Sequence, residues 1–350
     1  MKTRFFTVAA IAVLLLNVAG FSWGDTPRPR VLNPQTSRLV AMLPASDVVA
    51  VFDSGKFLNE ALPTLLSANQ PMLTEITSKI SELERKSGID FRKFDQVVVG
   101  VSVKPGMGKD LDAQPVAIAS GDINMGALIS IAKLGSKGQY REEKVGEKSV
   151  YIFTMKESVK KTQPAKTRST KVTQAVTKAK AVVNEIAVSA LDANTVAIGT
   201  PMRVRETIEG ASHVGADLTE LLSTKETAVM SFAAKAPVGM SKLAELEIDE
   251  LGATMDSIRY LSGSLDVAAA GTSLQLMART TKPEHALALK DTLEGLQMIG
   301  KAILGNSKRP DQQLYGRLVK NAKFGRNGND VALDLTVPQA DIDILIAKIK

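Results

Sequence analysis

Short apolar runs rich in β-branched residues come in neighbouring pairs along this chain, and the connections within a pair are too short to hold a crossover. Residues 185–191 and 195–199 are separated by three residues, with Asn194 in the turn. Residues 257–267 and 273–280 flank a short Ala-Ala-Gly-Thr turn, and Asn327-Gly328 is a type I′ hairpin signal leading into 331–337. Strands joined this tightly pair antiparallel, because parallel neighbours need a crossover of a dozen or more residues. The chain is therefore committed to antiparallel sheet.

Further strands are predicted at 47–53, 96–104 (QVVVGVSVK), 115–120, 139–145, 149–153 and 227–234. Between them lie amphipathic stretches with helical period, at about 56–67, 72–86, 123–134, 201–209, 241–250, 283–304 and 312–319, and after Pro338. Ile76, Ile80 and Leu83 form one stripe; Leu289, Leu293, Leu296 and Ile303 are predicted to share the inner face of the longest helix. Both halves read strand, helix, two strands, helix, hairpin, then a helix opened by proline, as at Thr200-Pro201 and Val337-Pro338. The expected fold class is α+β: two similar halves, each an antiparallel sheet with helices packed on one face, after a signal peptide. The expected divisions are a signal peptide at 1–24, an extended proline-containing leader at 25–43, a first half at 44–210 with a mobile basic insertion at 156–182, and a second half at 211–350.

The signal peptide rests on Lys2 and Arg4, a 12-residue apolar run from Phe5 to Leu16, and small residues at Ser22 and Gly24. It predicts export to the periplasm or beyond, with an uncleaved N-terminal anchor as the alternative; a spanning helix needs about 20 apolar residues. Removing residues 1–24 takes away two basic groups and lowers the net charge from +7 to +5. Eight basic residues against one acid between Lys156 and Lys180 hold +7, so the rest of the mature chain is net −2. The net positive excess of the whole chain comes from this one segment, which removes the main support for a protein-wide nucleic-acid surface, and no nucleic-acid partner is expected. With no cysteine there are no disulfides, thiol nucleophiles or zinc–thiolate sites, and two histidines leave little for a metal centre.

Leu43-Pro44-Ala45-x-Asp47 running into a strand, and Ala197-Ile198-Gly199-Thr200-Pro201 followed by Val204 and Arg205, resemble elements of exported bacterial proteins classed as domains of unknown function. The resemblance implies an exported, duplicated α+β fold and brings no catalytic residues with it.

Several motifs invite chemistry and fall short of it. Gly106-Met107-Gly108-Lys109 lacks the glycine and hydroxyl residue of a phosphate loop, since Val103 and Asp110 hold those positions. Asp110-x-Asp112 with Gln114 lacks the glycine and terminal acid of a calcium loop, Pro115 and Gly121 standing there instead. His285 reads as a half-buried helix-start residue and His213 as a loop residue beside Ser212, with no G-x-S-x-G in the chain. Glu245, Glu247, Asp249 and Glu250 read as a solvated acidic face; a carboxylate-dependent hydrolase is the alternative they suggest. Gly295, Gly300 and Gly305 are expected to ease helix–sheet packing, or to open a groove for an apolar ligand. The basic segment carries the candidate contact to anionic envelope surfaces: Lys160, Lys161, Lys166, Arg168, Lys171, Lys178 and Lys180. The expectation is a non-enzymatic exported envelope protein that binds a partner or ligand and uses no cofactor or metal. A periplasmic carrier of lipid or another hydrophobic molecule is its rival.

Overall fold

The computed structural model describes residues 32–87, 90–105, 111–136, 138–154, 185–222, 227–237, 249–305, 307 and 309–347. Its strands are β1 (Val48–Asp53), β2 (Phe94–Pro105), β3 (Leu111–Gly121), β4 (Tyr140–Val145), β5 (Lys148–Thr154), β6 (Glu185–Ala190), β7 (Thr195–Gly199), β8 (Ala228–Lys235), β9 (Ile258–Ala268), β10 (Gly271–Thr280), β11 (Lys323–Asn327) and β12 (Asp330–Pro338). All belong to one antiparallel sheet in the order β11-β12-β10-β9-β8-β1-β2-β3-β7-β6-β5-β4. The fold is α+β as expected, but the two halves do not keep separate sheets. Val48↔Ala234 through Phe52↔Met230 pair β1 with β8 and make the sheet continuous.

The helices are α1 (Pro34–Met42); α2 (54–65, interrupted by a wider turn at Phe57–Ala61); α3 (Gln70–Ser87); α4 (Met125–Gly135); α5 (Pro201–Glu209); α6 (Asp249–Asp256); α7 (Pro283–Gly305); α8 (Pro310–Asn321); and α9 (Gln339–Ala347). The expected extended leader is corrected over Pro34–Met42. Asn33 caps this helix by accepting from the Thr36 N–H at 2.7 Å, and Pro34 occupies its first turn, where a missing N–H costs nothing. The prolines that suggested extended chain include a helix starter. Most of the acidic helix expected at 241–250 lies outside the described residues; Asp249–Asp256 is helical.

Helices on one face only is corrected for the first half. In the first half, α1, α5 and the segment holding Leu218, Leu221 and Leu222 cover Val49, Val51, Val98, Ile118, Ile152 and Ala197. On the other face, α4 sets Met125 and Leu128 against Ala119, Val188 and Val196. The cause is in the strands: Val97-Val98-Val99 puts valine on both faces, so both require cover. In the second half α2, α3 and α9 cover Leu274, Leu335 and Val337 on the α4 face, and α7 seats Ala286 and Leu289 beside Val331. The opposite face there turns polar, with Ser231, Ser262, Ser264 and Asp334 buried on it.

Gly100 of β2 shows how closely α1 and its following turn approach the sheet: a Cβ there would lie 2.6 Å from Ser46 Oγ and 3.3 Å from Leu43 Cδ2. Gly100→Ala is expected to cost about 1–3 kcal/mol by overpacking. Equilibrium urea unfolding checks it, and adding Ser46→Ala is expected to recover part of the steric loss.

Candidate functional site

The two sequence strings that carried the family resemblance meet in space. α1 ends at Leu43, and Ser46 Oγ donates back to the Pro44 carbonyl at 2.8 Å, closing the turn. Asp47 then accepts from the Val103 N–H at 2.8 Å, prolonging the β1–β2 ladder with a side chain. From the other string, Thr200-Pro201 starts α5 and aims Arg203 beneath the turn, where its side chain is only 3% exposed. Its Nη2 donates to Ser46 Oγ at 2.7 Å and its Nη1 to Glu206 at 2.6 Å. The loop after α5 adds Val214 N–H to the Leu43 carbonyl at 3.3 Å, with Gly210 in the left-handed conformation (φ 62°) that turns the chain there. The work of this junction is to fasten α1, β1 and α5 together.

Glu206 is partly exposed and can hydrate, so losing Arg203 does not strand a buried charge. Arg203→Met, which keeps the volume, is therefore expected to cost about 1 kcal/mol, and Arg203→Ala about 3 kcal/mol from the added cavity. Chemical denaturation of both variants separates packing from hydrogen bonding.

A second polar cluster lies at the β4 edge. Arg141 donates to Glu185 at 2.9 Å and to Glu143 at 3.2 Å, and Arg205 donates to Glu143 at 3.1 Å. Arg205, then Arg141, holds the Glu143 carboxyl below the ordinary range; Arg141 does the same to Glu185. Both groups are solvent-facing ion-pair members, an arrangement that secures an edge strand. On the opposite face of the same strand pair, Lys133 of α4 lies 3.8 Å from the Tyr151 ring centre. Because the folded-state pKa values are depressed, the network's contribution is present above the unfolded pKa of about 4.3. It is lost as pH falls through the lower folded values. Melting temperature measured down to pH 2.5 should fall less steeply for Glu143→Gln/Glu185→Gln than for the native chain.

The sequence-level candidates do not converge. Lys160, Lys161, Lys166, Arg168, Lys171, Lys178, Lys180, Glu245, Glu247 and the glycine-rich 106–110 segment lie outside the described residues. Asp112 is within β3 rather than a loop, and accepts from the Gln114 amide at 2.8 Å. His285 is half-buried at the start of α7 with its Nδ1 2.6 Å from Thr281 Oγ1, and His213 is exposed. Among the described residues no three His, Asp or Glu side chains group to hold a metal ion, and no helix is long and apolar enough to cross a membrane.

What the sequence reading missed is the far half of α7. Its first turns lie on the sheet through Ala286, Leu289 and Leu293, but beyond them the supporting surface is α8. Gln297 donates to the Val319 and Ala322 carbonyls at the end of α8, at 2.8 and 2.5 Å. A Cβ on Gly300 would lie 3.2 Å from Val319 Cγ1, so Gly300 serves helix–helix packing and not the expected helix–sheet contact; Gly295 and Gly305 face open space. With Gln297, Gly300 and Leu304 turned inward, Leu296 and Ile303 are 47% and 69% exposed instead of buried. Met298 and Ile299 join them at 71% and 57%. A signal existed: from Gly295 to Gly305 the helix has one charged residue, Lys301, and is apolar nearly all round.

No protein-family model matches this chain, and no curated protein does. Among solved structures it is similar to crystal form I of TP0453, with 12% identity and a TM-score of 0.41 over 93% of this chain and 98% of that one. Crystal form III of the same protein aligns at 10% identity and a TM-score of 0.43, over 89% and 98% of the two chains.

Proposed function

We propose that this chain is an exported, non-enzymatic protein of the cell envelope that acts by binding a partner across an exposed surface. The observation that supports it most is the outward apolar side of α7, where four large side chains within eight residues are left to solvent. Contiguous exposure of this kind marks an interaction site more often than an ordinary surface. Export rests on the basic and apolar N-terminal pattern, with cleavage after Gly24 and residence in the periplasm or outside the cell. The basic segment from Lys156 to Lys180 is proposed as an auxiliary contact to anionic envelope components; nucleic acid has no part in the reading.

Duplication of an α+β unit is proposed as the origin of the fold. In each half one strand leads, a pair follows, and the half's last strand returns beside the third: β7 beside β3, and β12 beside β10. The closing helices depart from the repeat, α5 packing on one face of the sheet and α9 on the other. A carrier of a hydrophobic small molecule draws less support, because Gly300, one of the glycines for which a groove is the alternative reading, lies against Val319.

Fractionation of an exporting bacterial host expressing the chain, with N-terminal sequencing of the product, tests the reading. The expected product begins at Asp25 and is found in the envelope fractions. An unprocessed chain in the cytosol would overturn it.

A further inference from the structure

The apolar stretch of α7 leads, in sequence, into a run rich in basic residues. From Gly295 to Asn327 the sequence has seven basic residues and one acid, Asp311. Lys301, Arg309, Lys320, Lys323 and Arg326 are all exposed. At 100° per residue, Gly295, Leu296, Met298, Ile299, Ala302 and Ile303 fill an arc of about 160° on the side of α7 away from α8, and none is charged. Lys301 stands at the margin of that arc. Tyr315 of α8, nearly half exposed, adds an amphipathic ring to the same hairpin.

Three occupants could cover such a surface. A soluble apolar ligand needs concavity, and this is the convex side of a helix. A second copy would bring two strongly basic hairpins together, with like charges facing each other. An anionic lipid surface meets both features: acyl chains take the apolar arc while long Lys and Arg stems reach headgroup phosphates. The stretch is too short to span a bilayer, so it would lie along the interface. We infer that the α7–α8 hairpin docks on an anionic lipid bilayer, with Leu296, Met298, Ile299 and Ile303 inserted below the headgroups of that surface. The inference deepens the envelope-binding reading above and names its partner.

A chain without cysteine offers a clean local probe. Ile299→Cys, labelled with an environment-sensitive NBD dye, is mixed with vesicles of phosphatidylcholine alone or with 30% phosphatidylglycerol. Lys79→Cys on α3, whose side chain is 44% exposed, is the labelled control, and unchanged circular dichroism and melting establish that both variants fold. The position-299 emission is expected to rise severalfold and shift to the blue on anionic vesicles, with spin-labelled acyl chains quenching it, while position 79 stays unchanged. Each basic residue near such a surface contributes about fivefold, so Lys301→Gln/Lys320→Gln/Lys323→Gln is expected to need at least tenfold more anionic lipid. A probe at 299 that stays water-exposed overturns the inference. So does an equal response to both vesicle types, or a concentration-dependent change without vesicles, which would assign the face to a second copy. Envelope fractionation of a chain whose probe stays wet leaves the broader reading standing and removes only the lipid. A cytosolic chain whose probe still inserts removes the envelope reading and leaves lipid docking.

Discussion

The β1–β8 pairing determines what everything else in this molecule can be. Five register pairs from Val48↔Ala234 to Phe52↔Met230 convert two strand groups into one sheet of twelve. Without them, β1 and β8 would each present an apolar edge, and the cores on either side would lose their common floor. The pairing also sets where helices are needed. α2 and α3 follow β1 in sequence yet pack on strands of the second half, so the halves share a core as well as a ladder. Unfolding one half alone would expose the other's apolar face, which favours a single cooperative unit.

Much of this was legible in the chain. Nearly every strand was placed to within a few residues, because β-branched runs bounded by Gly, Asn and Pro have few other uses. Pro201–Glu209 is legible to the residue, opened by its proline. Misreadings came where a local signal had two meanings. Pro34 reads with Pro27 and Pro29 as extended chain, although a proline preceded by a capping side chain such as Asn33 also starts helices. Val97-Val98-Val99 marked a strand but also called for cover on both faces.

The exposed side of α7 shows a different limit. Leu289, Leu293, Leu296 and Ile303 fall within one broad helical stripe, and the sequence alone cannot say where the surface beneath the stripe ends. In the structure support passes from sheet to α8 near Gln297, and the change of partner rotates the buried side away from Leu296 and Ile303. Amphipathic periodicity describes a helix correctly only while one neighbour lies against its full length. Long-range packing, not local propensity, decides which of its apolar residues reach water.

Among the described residues the sheet has twelve strands and ends in β4 and β11, and these terminal strands bear on whether it adds a further strand from another molecule. β4 reads Arg141-Glu142-Glu143-Lys144, a charge sequence with the same signs in either direction. When two copies of β4 meet antiparallel and centred, Arg141 falls opposite Lys144 and Glu142 opposite Glu143, every pair repulsive. β11, at the other end, carries Lys323 and Arg326 and no acid, so two copies of it also repel. Growth of the sheet by self-addition is thus opposed at both ends by side chains that leave the chain's own ladder intact.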